Sequence, residues 1–183
     1  MYEAKPIALS PVQEKLIETW GRLAYAWGVG PTMAQIFALL YVWPDPLDSD
    51  TILATLQISR GNVSINLRKL LNWGLIHKID IPNSRKSLYV AERDIWKIAA
   101  NIIRHRFARE IAPIQKLLEE FRNDPSLEAT PHLHQSLNEI QTIVTLLSNV
   151  VAIALPMLTG PDRERLMKII STWQRRQRDG NPL

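Results

Sequence analysis

Apolar positions in the first third of the chain recur at helical spacing. Ser10 is a candidate N-cap for the segment 10–27, and Pro11 in the first turn is typical of a helix start. The apolar residues of this segment lie largely on one helical stripe and are Val12, Leu16, Ile17, Trp20, Leu23, Ala24, Ala26 and Trp27. The pattern predicts a first helix with this stripe in the core, ended by the glycines and proline of 28–31.

A second helix is predicted over residues 32–43, where four apolar residues form a buried stripe: Met33, Ile36, Phe37 and Leu40. Pro44 and Pro46 end this helix, and Asp48 or Ser49 supplies the next N-cap. A short third helix is then expected over 51–56, followed by a turn over 57–59.

The stretch ISRGNVSINLRKLLNWGLIHKI, residues 58–79, combines an amphipathic helix with a strand pattern. Ser59 caps a helix from Arg60 to Asn72. The inward side of this helix is apolar and consists of Val63, Leu67, Leu70 and Leu71. The opposite side consists of Gly61, Asn62, Ile65, Arg68, Lys69 and Asn72. Two short helices joined by a tight turn predict a helix-turn-helix.

A β-hairpin pattern follows the second of these helices. Residues 74–79 and 87–91 read as strands, and residues 80–86 as the turn between them, with Arg85 and Lys86 near the tip. Helix, turn, helix and hairpin in this order predict a winged helix.

Helical spacing resumes at Glu92 and continues to residue 122. Its apolar stripe comprises Ile95, Ile98, Ala99, Ile102 and Ile103. Pro113 is expected to kink or break this helix because an interior proline removes a backbone hydrogen bond. Residues 123–131 are expected to form a loop.

A heptad repeat marks the next helix. The seam consists of Leu133, Leu137, Ile140, Val144, Leu147, Val151, Ala154 and Leu158, and Ile143, Leu146, Val150 and Ile153 widen it. A last helix is predicted to turn Leu166, Ile169, Ile170 and Trp173 inward. Such a seam fits an intrachain core or an intersubunit core, and we favour dimerisation because a DNA reader profits from twofold symmetry.

Charge is unevenly distributed along the chain. Residues 58–109 contain 11 Lys/Arg and 3 acids, a net charge of +8, whereas the whole chain has a net charge of +4. A basic segment within a mildly acidic remainder favours a polyanion-binding face over a merely solvated surface. The apolar run 143–158 is shorter than a membrane span, and no signal peptide is evident, so we expect a cytoplasmic protein without a membrane partner.

Catalytic and cofactor motifs do not emerge from the sequence. The chain has no cysteine, and its four histidines show no zinc-binding spacing. No phosphate loop, nucleophile elbow or dinucleotide fingerprint is present. We therefore predict that the protein is not an enzyme and needs no metal or cofactor. The six tryptophans could cage a cationic effector, but core packing explains them better.

The run SRGxVSxNLRxLxxWGL, with the following PNSRKSLYVAERDIWKI, resembles the GbsR-type branch of the MarR family of winged-helix transcriptional regulators. The similarity extends from Gly21 to about Arg109. The resemblance implies a dimeric, cytoplasmic DNA-binding regulator, often a repressor, that can respond to a small-molecule effector. The wing departs from the pattern, since Asn83-Ser84 stands where this branch commonly has a glycine-containing turn.

Residues on the outer side of the 60–72 helix are predicted to read base edges. Arg68 offers paired donors suited to a guanine edge or a phosphate, and Asn62 suits adenine or a phosphate. Ile65 could contact a thymine methyl group, or it could be an ordinary exposed residue.

The other candidate residues are predicted to contact the DNA backbone. Ser59, Arg60 and Ser64 are expected at phosphates around the helix N-terminus. Lys69 is expected at the DNA backbone farther along the helix, and Arg85 and Lys86 at the flanking minor groove or its phosphates. Gly61 has two explanations: close approach to DNA, or tight packing against the preceding helix.

Together these patterns predict a mainly α-helical protein. A winged helix-turn-helix with a small β-hairpin wing is expected over residues 1–98, and long helices forming a dimerisation bundle over 99–183. The predicted function is that of a sequence-specific regulator that binds double-stranded DNA. The alternative is a winged-helix protein–protein interaction module, which we would expect to show acids or a larger apolar patch on its outer face.

Overall fold

The computed structural model of the chain describes residues 5–26, 28–84, 86–124, 131–161 and 163–178. The chain divides into two compact units, residues 1–98 and residues 99–183. The elements up to the hairpin are α1 (Pro11–Ala26), α2 (Pro31–Val42), β1 (Leu47–Asp48), α3 (Ser49–Leu56), α4 (Arg60–Asn72), β2 (Ile76–Asp80) and β3 (Ser87–Ala91). The helices after it are α5 (Ile95–Glu110), α6 (Ala112–Arg122), α7 (Pro131–Thr159) and α8 (Arg163–Arg178). This mainly helical architecture is the predicted winged helix with additional long helices.

The core of the first unit is centred on α2. The predicted stripe is buried, and Ala34, Ala38 and Leu39 are buried as well, so the helix is enclosed on most sides. It packs against α1, α4 and β3. An almost wholly apolar helix of this length needs such a position because each exposed leucine or isoleucine would forfeit roughly 1.5–3 kcal/mol of burial free energy.

The predicted orientation of α1 is wrong for most of its apolar stripe. Ile17 is buried, but Val12, Leu16, Trp20 and Leu23 are exposed. Instead, α1 approaches α2 through Gly21, where a Cβ atom would lie 2.8 Å from Gln35 Cγ. Because Gly21 has no side chain, α1 can approach α2 closely on this side of the helix. The spacing of apolar residues does not reveal this contact.

The helix-turn-helix forms as predicted. Asp48 is the N-cap of α3 and accepts a hydrogen bond from the Thr51 amide at 2.8 Å, so α3 begins two residues before the predicted start. Gln57, with a φ of 53°, ends α3 in the left-handed region. Ser59 is the N-cap of α4, and its Oγ atom accepts a hydrogen bond from the Asn62 amide at 3.3 Å. Helix α4 has the predicted bounds.

The wing is the hairpin β2–β3, and the short strand β1 extends it into a three-stranded antiparallel sheet of order β1-β3-β2. The sequence did not predict β1. In the hairpin turn, the Ser84 amide donates to the Ile81 carbonyl at 3.1 Å, and Asn83 has a φ of 61°. Asparagine tolerates the left-handed conformation, which explains how this wing turns without the family's glycine.

The second unit has a small core. As predicted, the helix breaks before Pro113: α5 ends at Glu110 and α6 starts at Ala112. Leu118, Leu137 and Val144 are buried together between α6 and α7. Gln115 Nε2 donates to Ser148 Oγ across these two helices at 2.7 Å.

Much of the predicted C-terminal apolar surface is exposed within the chain. On α7, Leu137 and Val144 of the heptad seam are buried, but Leu133, Ile140 and Leu147 are exposed. The residues that widen the seam are exposed too: Ile143, Leu146, Val150 and Ile153. The sequence also predicted burial for four isoleucines that are exposed: Ile95 and Ile103 on α5, and Ile169 and Ile170 on α8. Nothing is described for the side chains of Leu166 and Trp173.

Helix α7 (Pro131–Thr159) is longer than the apolar run 143–158 that it contains. By length and composition, residues 132–159 could cross a membrane, contrary to the expectation from 143–158 alone. This is weak support for a membrane span, because an apolar helix that packs against protein passes the same test.

Candidate nucleic-acid interface

Helix α4 is held in place by its apolar side. Val63, Leu67 and Leu70 are buried, and the helix packs against α2 and α3. Asn66 is also buried, and its amide nitrogen donates to the Asn62 carbonyl at 2.9 Å. The sequence pattern did not single out Asn66, because a polar residue between two faces gives no periodic signal.

The predicted outer side of α4 is exposed throughout. Its exposed residues are Gly61, Asn62, Ser64, Ile65, Arg68, Lys69 and Asn72. Arg68 Nε donates to the Ser64 carbonyl at 3.4 Å, which lays the guanidinium along this surface. We call these seven residues the outer face; it offers amide and cationic donors around one apolar side chain, Ile65.

Gly61 lies in the first turn of α4 and faces open space. A Cβ atom built at this position would meet no atom within 4 Å. Tight packing against the preceding helix, one of the two explanations for this glycine, is therefore wrong. Gly61 instead leaves the first turn of α4 without a side chain on its exposed side.

Arg60, at the start of α4, is paired with an acid that the charge count of 58–109 did not include. Its Nη1 atom lies 2.9 Å from Asp50 Oδ1 in the first turn of α3. The Arg60 side chain is 77% exposed, whereas that of Asp50 is 23% exposed. The acid is therefore fixed in the protein, and the arginine lies over it on the surface.

Lys86 does not extend freely from the wing. Its Nζ atom lies 3.3 Å from Asp48 Oδ2 and 3.5 Å from Asp50 Oδ2. Partial burial opposes the charged form, but hydrogen bonding and attraction to Asp48 raise the pKa of Lys86. Burial likewise opposes the charged form of Asp48, but hydrogen bonds from Thr51 and Lys86 lower its pKa. The contact of Lys86 with DNA stays a prediction, and Arg85 lies outside the described residues.

A cavity of about 270 Å³ lies beside the outer face. It is lined by Ser49, Arg60, Val63, Ser64, Leu67, Arg68, Leu71 and Tyr89. Two guanidinium groups and three hydroxyl-bearing side chains line this cavity and can donate hydrogen bonds to an anion such as a DNA phosphate. Sequence reasoning missed Ser49 and Tyr89 because they lie on α3 and β3, remote from α4 along the chain.

Metal chemistry receives no support from the part of the chain that the structure describes. Within those residues, no three His, Asp or Glu side chains lie close enough together to hold a metal ion. Asp50 forms ion pairs with Arg60 and Lys86, and Asp48 forms one with Lys86.

Two comparisons relate the chain to known regulators, although no protein-family model matches it. The chain is 22% identical over 117 residues to the HTH-type transcriptional repressor GbsR of Bacillus subtilis, and the match covers 64% of each protein. It therefore spans less than two thirds of that relative.

The crystal structure of a transcriptional regulator superimposes on the chain with a TM-score of 0.63 and 21% sequence identity, covering 79% of this chain and 96% of the other. A mutant of Staphylococcus aureus MepR bound to an oligodeoxyribonucleotide gives a TM-score of 0.38 at 15% identity, covering 73% of this chain and 92% of the other. In fold the chain is a winged-helix protein, and in sequence it is similar to GbsR, which confirms the resemblance to GbsR-type regulators.

Proposed function

We propose that the chain is a DNA-binding transcriptional regulator, and specifically a repressor, that inserts α4 into the major groove. The observation that carries this proposal is the outer face: amide and cationic side chains stand exposed around a glycine that faces open space. A helix held by its apolar side with such a face outward has the form of a recognition helix. The similarity to the GbsR repressor supports the same function.

Three residues of the outer face read bases in this proposal. Arg68 pairs with a guanine edge, Asn62 with an adenine edge, and Ile65 contacts a thymine methyl group. Gly61 allows the first turn of α4 to approach the DNA closely.

The remaining candidate residues position the protein on the DNA backbone. Phosphates are contacted at the start of α4 by Ser59, Arg60 and Ser64, farther along by Lys69, and from the wing by Arg85 and Lys86. The cavity beside α4 adds Ser49 and Tyr89 to the phosphate contacts. For Arg60 and Lys86, these contacts require competition with Asp48 and Asp50.

A protein–protein interaction module explains the outer face less well. Such a module needs an apolar patch or acids where α4 faces outward. Ile65 is the one large apolar residue on the outer face, and its neighbours there are Arg68, Lys69 and two asparagines. The large apolar surface is instead on α7, where we place a contact with a second copy of the chain.

We propose a homodimer formed through the C-terminal helices. Six large apolar residues of α7 are exposed between positions 140 and 153, and we call them the exposed seam: Ile140, Ile143, Leu146, Leu147, Val150 and Ile153. This set exceeds the scattered apolar residues of an ordinary surface. A second copy of the chain would bury these apolar residues. The twofold symmetry of such a dimer then presents two α4 helices to half-sites about 34 Å apart.

We also propose that the protein is cytoplasmic and not catalytic. Helix α7 carries Asn138, Glu139, Gln141 and Asn149, which suit a protein–protein contact better than a lipid-facing span. Recovery in the supernatant after high-speed centrifugation of lysed cells is expected. Recovery in the membrane pellet would contradict the proposed location. A small-molecule effector stays a prediction from the resemblance, and we assign no ligand.

The experiment that tests the function is fluorescence anisotropy of the purified protein. The probes are its own upstream intergenic DNA and a scrambled duplex of the same composition, each measured at several salt concentrations. Tighter binding to the upstream DNA, weakening steeply with salt, is the expected result. Failure to bind either duplex at low salt would contradict the proposal and leave the interaction module as the better explanation.

A further inference from the structure

One carboxylate connects the recognition helix to the wing. Asp50 contacts Arg60 of α4 through Oδ1 at 2.9 Å and Lys86 at the start of β3 through Oδ2 at 3.5 Å. Both cations are among the residues proposed to meet DNA phosphates. Asp50 therefore pairs, within the protein, with two cations that the proposed function assigns to phosphates of the DNA backbone.

The two sides of this contact differ in freedom. Asp50 belongs to the first turn of α3, and its side chain is mostly buried, so the carboxylate stays where the fold holds it. Arg60 is mostly exposed, and an exposed ion pair of this kind is weak. Arg60 can therefore exchange Asp50 for a phosphate, but only by breaking its contact with the carboxylate.

We propose that Asp50 is an internal competitor of the DNA backbone for Arg60, which lowers affinity for DNA of any sequence. The inference rests on the proposed DNA-binding function. Binding to noncognate DNA comes almost entirely from phosphate contacts and the release of counterions. Because Asp50 competes for Arg60, the Arg60–phosphate contact, and with it the release of the cation condensed on that phosphate, forms only in part in the wild-type protein. Base contacts by α4 then form a larger share of the total binding free energy.

A structural brace would have the opposite effect. If Asp50 served to hold Arg60 and Lys86 in the orientation that phosphates require, removing its charge would weaken binding. The competitor and the brace therefore predict changes of opposite sign for one substitution.

The test compares Asp50→Asn with wild type on the upstream and scrambled duplexes by anisotropy across a salt series. We expect Asp50→Asn to bind the scrambled duplex several-fold more tightly at low salt. The slope of log affinity against log salt should become steeper by up to about one, the contribution of one complete phosphate contact. Adding Arg60→Gln to Asp50→Asn should abolish this increase in slope.

Asp45→Asn is the matched control. It removes the same charge from an exposed position outside the Arg60–Lys86 contact, so any effect of net charge alone appears in both variants. Asp50→Ser is a second neutral variant, since serine suits a helix N-terminus, and circular dichroism establishes that each variant is folded.

Three outcomes would overturn the inference while leaving the proposed function intact. Weaker binding by both folded Asp50 variants would make Asp50 a brace. Unchanged binding by both would show that Asp50 does not influence DNA affinity. A gain matched by Asp45→Asn would reduce its role to net charge. Failure of the wild-type protein to bind either duplex would instead contradict the proposed function itself.

Discussion

The two units of the chain satisfy their hydrophobic residues in different ways. In the first unit, α2 is enclosed by α1, α4 and the sheet, and Ile36 and Leu39 are 0% exposed. Among the described residues beyond Ile98, the buried apolar side chains are Ala100, Leu118, Leu137 and Val144. Helix α7 alone leaves more large apolar residues exposed than these.

This difference shows what each unit needs in order to be stable. The first unit has a core of its own, so the outer face of α4 can be polar and remain exposed. The second unit buries too little apolar surface to account for the length of its helices, since most helical stability comes from packing. The many apolar residues of this unit are explained if a second copy of the chain completes its core.

The largest expected effect comes from placing a charge on the exposed seam of α7. Leu146→Glu should separate the proposed dimer, because an unpaired charge buried at the interface costs about 3–5 kcal/mol. Sedimentation velocity would then show monomers at concentrations where the wild type is dimeric. Thr145→Glu places the same charge on the neighbouring polar strip of α7 and should leave the dimer intact. Unchanged sedimentation of both variants would move the dimer contact away from this seam.

A core substitution in the first unit should act without regard to association. Leu39→Ala should lower the free energy of unfolding by about 2–5 kcal/mol, because it leaves a cavity in a fully enclosed site. Denaturant unfolding should show this loss equally at low and high protein concentration. Val12→Ala, on the exposed stripe of α1, is the matched comparison and should change stability little in a monomer. A loss from Leu39→Ala that grew on dilution would show that the first unit also depends on association.

The outer face should distinguish base reading from backbone contact. Arg68→Ala is expected to lower affinity for the upstream duplex by roughly 1–3 kcal/mol and to relax base preference. Lys69→Ala should weaken binding to the upstream and scrambled duplexes alike, since a phosphate contact carries no sequence information. Equal losses on both duplexes for Arg68→Ala would remove Arg68 from the base readers.

The smallest expected effect separates stability from binding at one position. Gly61→Ala should leave the free energy of unfolding unchanged or raise it by up to about 1 kcal/mol, since alanine favours the helix and its methyl group meets no protein atom. Affinity for DNA should nevertheless fall. Gly30→Ala provides the comparison, because a Cβ atom there also meets nothing within 4 Å and the residue is the N-cap of α2 rather than part of α4. Retained DNA affinity in Gly61→Ala would show that the first turn of α4 stays clear of the DNA.

Local chemistry explains which features could be predicted from the sequence. The bounds of α4 follow from Ser59 as cap and from the apolar spacing, and those of β3 from a short β-branched and aromatic run. The break before Pro113 follows from the proline ring itself. Each of these signals lies within a few residues of the feature it specifies.

The missed features depend on residues that are distant along the chain. Asp50 lies ten positions before Arg60, outside the segment in which the charges were counted, yet it neutralises part of that basic surface. Strand β1 has two residues, too few for any alternation to be visible. The stripes of α1 and α7 were read correctly as apolar, but spacing alone cannot tell a core inside one chain from a contact between two.

The two residues of β1 have a consequence for exchanging wings between related proteins. Leu47 pairs with Tyr89 and Asp48 with Leu88, while Asp48 also caps α3. The turn-proximal part of β3 and the N-terminus of α3 are therefore connected through one residue, Asp48, and a displacement of the wing would pull directly on α3. A chimaera that replaces only the hairpin would cut through this connection. The smallest portable wing in this protein includes Leu47 and Asp48.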